Sequence, residues 1–363
     1  MPAQILHTLF GEAAIAALYT RIRPCRGGFF EPERIRKNHR PVFILGCQGP
    51  DIFYHSQMTR PVGLEYGALL HRRGFGSFAA ALLKRALPDS HPKEAEITPL
   101  AAYALGFMTH ALLDRFCHPY IVYKSSAVPA SARMARFAQI LPKGTAHAFF
   151  ERILDVLMLD LLQGMPVSSW DQDALTRACI EPPPGLKELL FETLITGFPE
   201  RAGKDRKLFQ RIENALQDCA AFYRLTDPKK TSLYGPAANA RACSPVWNIP
   251  LAYLYPEQLP LHLDYLNLGR RAWHYPAGAG EEDTRSFPDI YHIAVNAAGE
   301  TLSGFMLPYL ETGAFPLKEA APCLGNEGLS IQDESGKPCA PAKTDPLPLD
   351  AVLLQQRSLR RVR

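Results

Sequence analysis

The chain has 363 residues, 47% of them hydrophobic, which suffices for one large domain or two smaller ones with a substantial core. Its formal net charge of +4 is small for this length and does not by itself indicate a nucleic-acid-binding protein. No run approaches about eighteen apolar residues, so the sequence predicts no membrane-spanning helix. The start of the chain lacks the basic region of a signal peptide, and the eight cysteines are scattered without Cys-x-x-Cys spacing. We therefore expect a cytoplasmic protein with reduced thiols.

The first quarter of the chain combines apolar helical patterns with a few isolated polar residues. A first stretch of helical periodicity contains His7, on or beside its apolar face. An apolar run then enters a Gly-x-x-Gly-Pro turn that ends in Asp51, with His55 shortly after it. A carboxylate in this position is either placed for chemistry or caps a helix. Residues 64–87 are predicted to form a helix or a helix pair, with His71 among apolar neighbours.

The strongest signal is the stretch from Leu105 to Tyr123, LGFMTHALLDRFCHPYIVY. His110, Asp114 and His118 are spaced four residues apart, which on a helix places all three within an arc of about 80°. The surrounding residues are apolar on nearly every face, as in a buried helix. Two imidazoles and a carboxylate are costly to bury unless something binds them, and a divalent metal ion does so.

A second stretch, from Thr145 to Leu162, repeats the pattern with His147, Glu151 and Asp155. One His-x-x-x-acid pair alone is more often a surface pair or a histidine packed in the core. Two apolar helices that carry such sets, close together in sequence, favour metal binding instead.

The remainder of the chain carries weaker signals. Residues 164–187 are predicted to be a loop, 203–226 an amphipathic helix, 227–260 a long irregular loop and 286–310 a further helix. No sustained strand alternation, βαβ rhythm, Gly-rich phosphate motif or Gly-x-Ser-x-Gly motif is present. The sequence therefore predicts an all-α fold, with several helices packed round a metal site.

The C-terminal part is predicted to differ from the rest. We expect residues 1–310 to form one domain and residues 311–363 to form a Pro-rich tail with a basic end. Many prolines and weak periodicity lead us to expect that this tail is poorly ordered or lies along the surface. Its basic end is interpreted as solvated, with contact to an anionic surface as the alternative.

Five motifs, taken in order, resemble the zinc-dependent phospholipase C family, whose all-α fold is shared with the P1-type nucleases. They are His7, the Gly-x-x-Gly-Pro-Asp turn ending at Asp51, GALLH ending at His71, HALLDRFCHP from His110, and HAFFE from His147. The similarity covers about residues 1–160, and later segments (WHYP and SFPDIYHIA) extend it to about residue 305. Each motif alone is weak, but the ordered set is specific.

The resemblance implies two to three zinc ions and assigns their ligands. It implies a first zinc on Asp51, His71 and His110, a second on His118, His147 and Glu151, and a third on His7, with Asp114 bridging the first and third. His55 competes with His71 for its role, and the GALLH context favours His71. Asp155 lies outside the family set and is expected to orient His147 or His118.

The sequence allows two alternatives for the ligands of the third zinc. Removal of Met1 would expose the amine of Pro2, five positions before His7, and a segment of that length can bring both to one ion. The alternative is an ordinary chain terminus, with His7 binding alone or packing in the core.

The implied reaction is hydrolysis of a phosphodiester, most simply a phospholipid headgroup bond, by a zinc-activated water. Asp51 is then both a ligand and a candidate general base. The expected partner is a phospholipid or another phosphodiester, with peripheral membrane contact as an option.

Two other classes of function stay open. One is a single-strand nuclease with a base-stacking slot beside the zinc ions, and the other is a non-catalytic scaffold that zinc stabilises.

Overall fold

A computed structural model of the chain describes residues 4–22, 32–88, 96–126, 145–233, 251–278 and 282–362. The prediction of an all-α fold is confirmed, since nearly all regular structure in these ranges is helical. In chain order the helices are α1 Gln4–Ile22, α2 Pro32–Arg34, α3 Arg40–Cys47, α4 Asp51–Tyr54, α5 Leu64–Arg72, α6 Phe75–Ala86, α7 Pro99–Ser125, α8 Thr145–Gln163, α9 Gln172–Ile180, α10 Leu186–Gly197, α11 Leu208–Leu225, α12 Pro228–Leu233, α13 Phe287–Thr312, α14 Leu317–Leu324 and α15 Leu349–Val362.

A few short elements complete the secondary structure. A π-helical turn, Ile35–His39, joins α2 to α3, and 3₁₀ turns lie at Val167–Ser169 and Leu251–Tyr253. Two short strands, β1 Trp273–His274 and β2 Glu282–Asp283, pair antiparallel. No helix in the described ranges is both long enough and apolar enough to cross a membrane.

Helix α7 is the central element of the fold. Thr98 caps its start by accepting a hydrogen bond from the Ala101 N–H, and Pro99 occupies the first turn, where its missing N–H costs nothing. Most of the helix is buried, and α1, α3, α6, α8 and α13 pack against it. The helix therefore places its polar side chains where no water can solvate them.

Two glycines allow α3 to approach α7 closely. A Cβ atom at Gly46 would lie 2.1 Å from the Tyr103 carbonyl oxygen, and one at Gly106 would lie 2.3 Å from the Phe43 carbonyl oxygen. Any side chain at either position would push the helices apart. This close contact brings the turn after α3 up to the polar face of α7.

The predicted secondary structure agrees with the structure in some segments and differs from it in others. The predicted loop at 164–187 contains α9 and the start of α10, because the proline run is short and lies between two helices that pack on the core. The predicted pair in 64–87 is present as α5 and α6. Much of the predicted loop at 227–260, namely residues 234–250, lies outside the described residues, as does Pro2.

The segment after residue 310, which we expect to be poorly ordered or to lie along the surface, contains helices and buried side chains. Helix α14 packs on α6, and Ala320, Leu324 and Leu329 are fully buried. Between its two helices, the segment is held by main-chain hydrogen bonds to other parts of the fold, which its prolines do not prevent. The division of the chain at residue 310 itself stays a prediction.

Candidate metal centre

Asp114 lies at the centre of the candidate site, on the buried face of α7. Its Oδ2 is 3.1 Å from the Nε2 atom of His110, one turn earlier, and its Oδ1 is 3.8 Å from Nε2 of His118, one turn later. The helical spacing predicted from sequence therefore brings these three side chains together. Asp114 is 5% exposed, so its charge is compensated by these neighbours rather than by water.

A first group of side chains, Asp51, His71 and His110, forms where α4 and α5 meet α7. The turn before α4 passes directly over His110, and Gly49 there has φ +54°. A Cβ atom at Gly49 would lie 2.4 Å from the His110 ring, so the turn requires glycine for both its conformation and its space. Nε2 of His71 lies 3.1 Å from Oδ1 of Asp51.

A second group, His118, His147 and Glu151, joins α7 to α8. Oε1 of Glu151 lies 3.2 Å from Nε2 of His147 on its own helix and 3.5 Å from Nε2 of His118. The side chain of His147 is 24% exposed, whereas those of His118 and Glu151 are 8% and 4% exposed. This group therefore reaches the surface at His147.

A third group, His7, His110 and Asp114, joins α1 to α7. The ring of His7 stacks on that of His110 with 4.1 Å between centroids, and its Nε2 lies 3.3 Å from Oδ1 of Asp114. In each of the three groups the candidate ligand atoms lie within 4.8 Å of one another. His110 belongs to both the first and the third group, and Asp114 of the third group lies 3.8 Å from His118 of the second, so the three groups form one continuous cluster.

The imidazoles are oriented as metal ligands are. The Nδ1 atoms of His71, His110 and His118 lie 2.8, 3.2 and 2.7 Å from the backbone carbonyl oxygens of Gly67, Cys47 and Leu329. A carbonyl only accepts, so each Nδ1 carries the hydrogen and each neutral ring directs its Nε2 lone pair into the cluster. Metal-bound histidines are usually fixed in this manner. Imidazole nitrogens with carboxylate oxygens in groups of three fit a zinc ion.

Electrostatics keep the three carboxylates ionised. Burial alone would raise the pKa values of Asp51, Asp114 and Glu151, but the neighbouring imidazoles outweigh burial and hold all three well below their usual range. At His118, Asp114 and Glu151 likewise outweigh burial and raise the pKa to about 9. A cation bound here would therefore compete with a proton on that ring.

Two residues that the sequence left ambiguous lie away from the ligand positions. The ring of His55 stacks on Phe222 at 4.0 Å between centroids, and burial lowers its pKa to about 3. It is therefore His71 rather than His55 that reaches Asp51. The expectation that Asp155 orients His147 or His118 was wrong, because its Oδ1 accepts a hydrogen bond of 2.7 Å from the Leu6 N–H at the start of α1.

Comparison with known proteins agrees with this arrangement. The family model described as zinc dependent phospholipase C matches residues 6–193, which is 188 of the 363 residues. The chain belongs to the zinc-dependent phospholipase C family. No curated protein and no solved structure matches the chain. Family membership and the three His and carboxylate groups together support zinc binding.

Parts of the chain beyond the matched zinc-dependent phospholipase C region also build the centre, and sequence reasoning missed them. The carboxylate of Asp218, on α11, accepts hydrogen bonds from the N–H groups of Met58 and Thr59, in the loop that joins Asp51 to His71. Leu329 supplies the carbonyl that orients His118. Neither leaves a motif, because one is an isolated aspartate and the other acts through its backbone.

Proposed function

We propose that the chain is a zinc-dependent phosphodiester hydrolase that cleaves a phospholipid headgroup bond in the manner of phospholipase C. The observation that carries this proposal is the shared position of Asp114, which joins imidazoles from α1, α5 and α7 in one buried cluster. A single structural zinc site needs four ligands in one closed set. Eight candidate ligands in three linked groups instead suit a multinuclear centre that acts on a phosphate.

The proposed ligand assignment follows the three groups. Asp51, His71 and His110 would hold one zinc, and His118, His147 and Glu151 a second; His7 with Asp114 would contribute to a third. When bound, zinc supplies Lewis acidity that offsets the charge of a phosphodiester and lowers the pKa of water.

The chain's own residues then have distinct tasks. Asp51, ionised and buried beside His71, is positioned to accept a proton from water, although its low pKa makes it a better ligand than base. His147 and His71 are the most exposed of the eight candidate ligands, with side chains 24% and 14% exposed. A substrate phosphate would therefore approach the cluster from the side of these two imidazoles, and the remaining six side chains exclude water behind it.

A substrate screen tests this proposal. Purified protein loaded with zinc is assayed against phosphatidylcholine, bis-p-nitrophenyl phosphate and single-stranded DNA, each with and without a chelator. We expect chelator-sensitive release of diacylglycerol from the lipid, and slower cleavage of the simple diester. Preferential cleavage of DNA would assign the chain to the nuclease class, and no turnover of any substrate with zinc bound would favour a scaffold.

A further inference from the structure

Residues 324–347, hereafter the C-terminal splint, run along the second half of α7. At one end the Arg115 guanidinium donates hydrogen bonds to the carbonyl oxygens of Leu324, Gly325 and Glu327. At the other end the N–H groups of Asp345 and Leu347 donate to the carbonyls of Tyr123 and Lys124, at 3.0 and 2.9 Å, and Lys124 pairs with the Asp345 carboxylate at 2.8 Å. The splint is thus attached on both sides of His118.

Leu329, within the splint, contacts two helices that carry candidate zinc ligands. Its carbonyl oxygen lies 2.7 Å from Nδ1 of His118 on α7, and its N–H donates to the His71 carbonyl on α5 at 2.9 Å. The residue is fully buried, so no water competes for either hydrogen bond. One backbone position therefore fixes the ring of His118 and the end of the helix that carries His71.

The splint contacts α7 around the point where that helix lacks a main-chain hydrogen bond. Pro119 lies inside α7, directly after His118, and has no N–H to donate to the carbonyl of Arg115. A helix interrupted in this manner tends to bend at the break. The splint is attached to α7 on both sides of this position, at Arg115 before Pro119 and at Tyr123 and Lys124 after it.

We propose that the C-terminal splint positions His118 for zinc and that Arg115 is the residue that locks it in place. In the neutral His118 ring, the Leu329 carbonyl keeps the one proton on Nδ1, so that the Nε2 lone pair faces the metal position. The splint lies wholly outside residues 6–193, so this is a feature of the chain beyond the part that defines its family. The inference rests on the proposed role of His118 as a zinc ligand.

The test uses point variants in the full chain and needs no enzyme assay. Zinc affinity is measured by chelator competition for wild type, Arg115→Ala, Arg115→Lys and a matched control, Arg85→Ala, whose guanidinium donates to the Thr196 hydroxyl away from the ligand groups. We expect Arg115→Ala to weaken the affected site by about 10-fold or more. Arg115→Lys should lose less than Arg115→Ala, because lysine keeps the charge and N–H donors, but it should not equal wild type, because a compact ammonium lacks the planar fork that spans the three carbonyls. Arg85→Ala should bind zinc as wild type does.

A spectroscopic readout separates positioning from general destabilisation. In ¹⁵N-histidine spectra of metal-free protein at a pH where the ring is neutral, His118 should carry its proton on Nδ1, and Arg115→Ala should populate the other tautomer as well. If Arg115→Ala does not fold, Arg115→Lys decides the question with the same readouts. Wild-type zinc affinity together with an unchanged tautomer in the folded variant would overturn the proposal.

A second control distinguishes this proposal from the function on which it rests. His118→Ala should weaken zinc binding at least as much as Arg115→Ala does. If His118→Ala leaves zinc affinity unchanged, the ligand assignment itself is wrong. If His118→Ala weakens zinc binding but neither Arg115 variant does so, the assignment stands and only the role of the splint is refuted.

Discussion

Asp114 has imidazoles on several sides, which makes its carboxylate the most informative single group to change. Its two oxygens lie 3.3, 3.1, 3.8 and 3.9 Å from Nε2 of His7, His110, His118 and His71. Asp114→Asn removes one negative charge while keeping the shape of the side chain. We expect it to release more than one zinc per chain, as measured by elemental analysis, and to abolish hydrolysis.

The neighbouring thiol provides the control for this substitution. Cys117 is buried on the same helix but belongs to none of the three ligand groups, and burial raises the pKa of its thiol well above the usual range. Cys117→Ser should therefore keep the zinc content of wild type. If this variant loses zinc, or if Asp114→Asn keeps all of it, the ligand face of α7 is assigned incorrectly.

Asp155 gives a prediction about pH. Burial raises the pKa of the Asp155 carboxyl from its usual range to about 7, and this effect outweighs the nearby Arg152 and the hydrogen bonds from backbone N–H groups at the start of α1. A carboxyl group whose pKa is higher in the folded state favours folding while it is protonated. That contribution is present at low pH and is lost as pH rises from about 4 to about 7.

The expected result is a change in relative stability. In metal-free protein, urea unfolding should show wild type losing free energy of unfolding relative to Asp155→Asn as pH rises over that range. A difference that does not vary with pH would show that Asp155 has an ordinary pKa. Because Asp155 contacts none of the three ligand groups directly, Asp155→Asn should keep its zinc.

At the scale of single residues, helical spacing predicts which side chains of the candidate site lie close together. His110, Asp114 and His118 on one helix, and His147 and Glu151 on another, lie together because four-residue spacing fixes their direction wherever a helix forms. The preference for His71 over His55 rested on motif context, and periodicity alone did not decide it. The local pattern does not show that His55 packs against Phe222, a residue far away in sequence.

Among the elements, α11 supports the first ligand group without contributing a ligand. Asp218 accepts hydrogen bonds from the N–H groups of Met58 and Thr59 and from the Thr59 hydroxyl, and it is 1% exposed. Arg211 and Asn214, on the same helix, donate to the carbonyls of Val62 and Pro61. The loop between Asp51 and His71 is therefore attached to α11 by side chains at successive turns.

We expect Asp218→Asn to lower the free energy of unfolding by about 1–3 kcal/mol, because an amide cannot accept all these hydrogen bonds and its own donors would be buried without partners. Urea denaturation measures this effect, and chelator competition should show weaker zinc binding as well. The matched control is Asp173→Asn, since the side chain of Asp173 is 61% exposed and its pair with Lys230 contributes little. Equal stability of the two variants would contradict the role assigned to α11.

The elements that the sequence did not predict share a physical cause. Periodicity identifies a helix that buries one face, as α7, α8 and α13 do. It gives no signal for a segment such as the C-terminal splint, whose order comes from backbone hydrogen bonds to distant residues. The prolines in residues 311–350 remove N–H donors, but in an irregular segment this is costly only at a position where the fold requires an N–H donor.

At the scale of the whole molecule, zinc is expected to be part of the stability of the fold. Three ionised carboxylates and five histidines, almost all of them buried, form the cluster, and without a cation the carboxylates repel one another in a medium of low dielectric. Ligands from α1, α4, α5, α7 and α8 meet there, so metal binding joins most of the fold and stabilises the native state by mass action.

Protein purified without chelator should therefore contain at least two zinc ions per chain, since two complete three-residue groups lie on separate parts of the cluster. At a free zinc concentration 100 times Kd, each occupied site adds about 2.7 kcal/mol to the free energy of unfolding. For two sites, removal by chelator should lower Tm by on the order of 10 °C. Adding zinc back should restore both Tm and zinc content, and magnesium should not, because imidazole ligands favour zinc. A chelated protein with unchanged Tm, or a zinc content near zero that does not rise on titration, would show that the cluster is not a zinc centre.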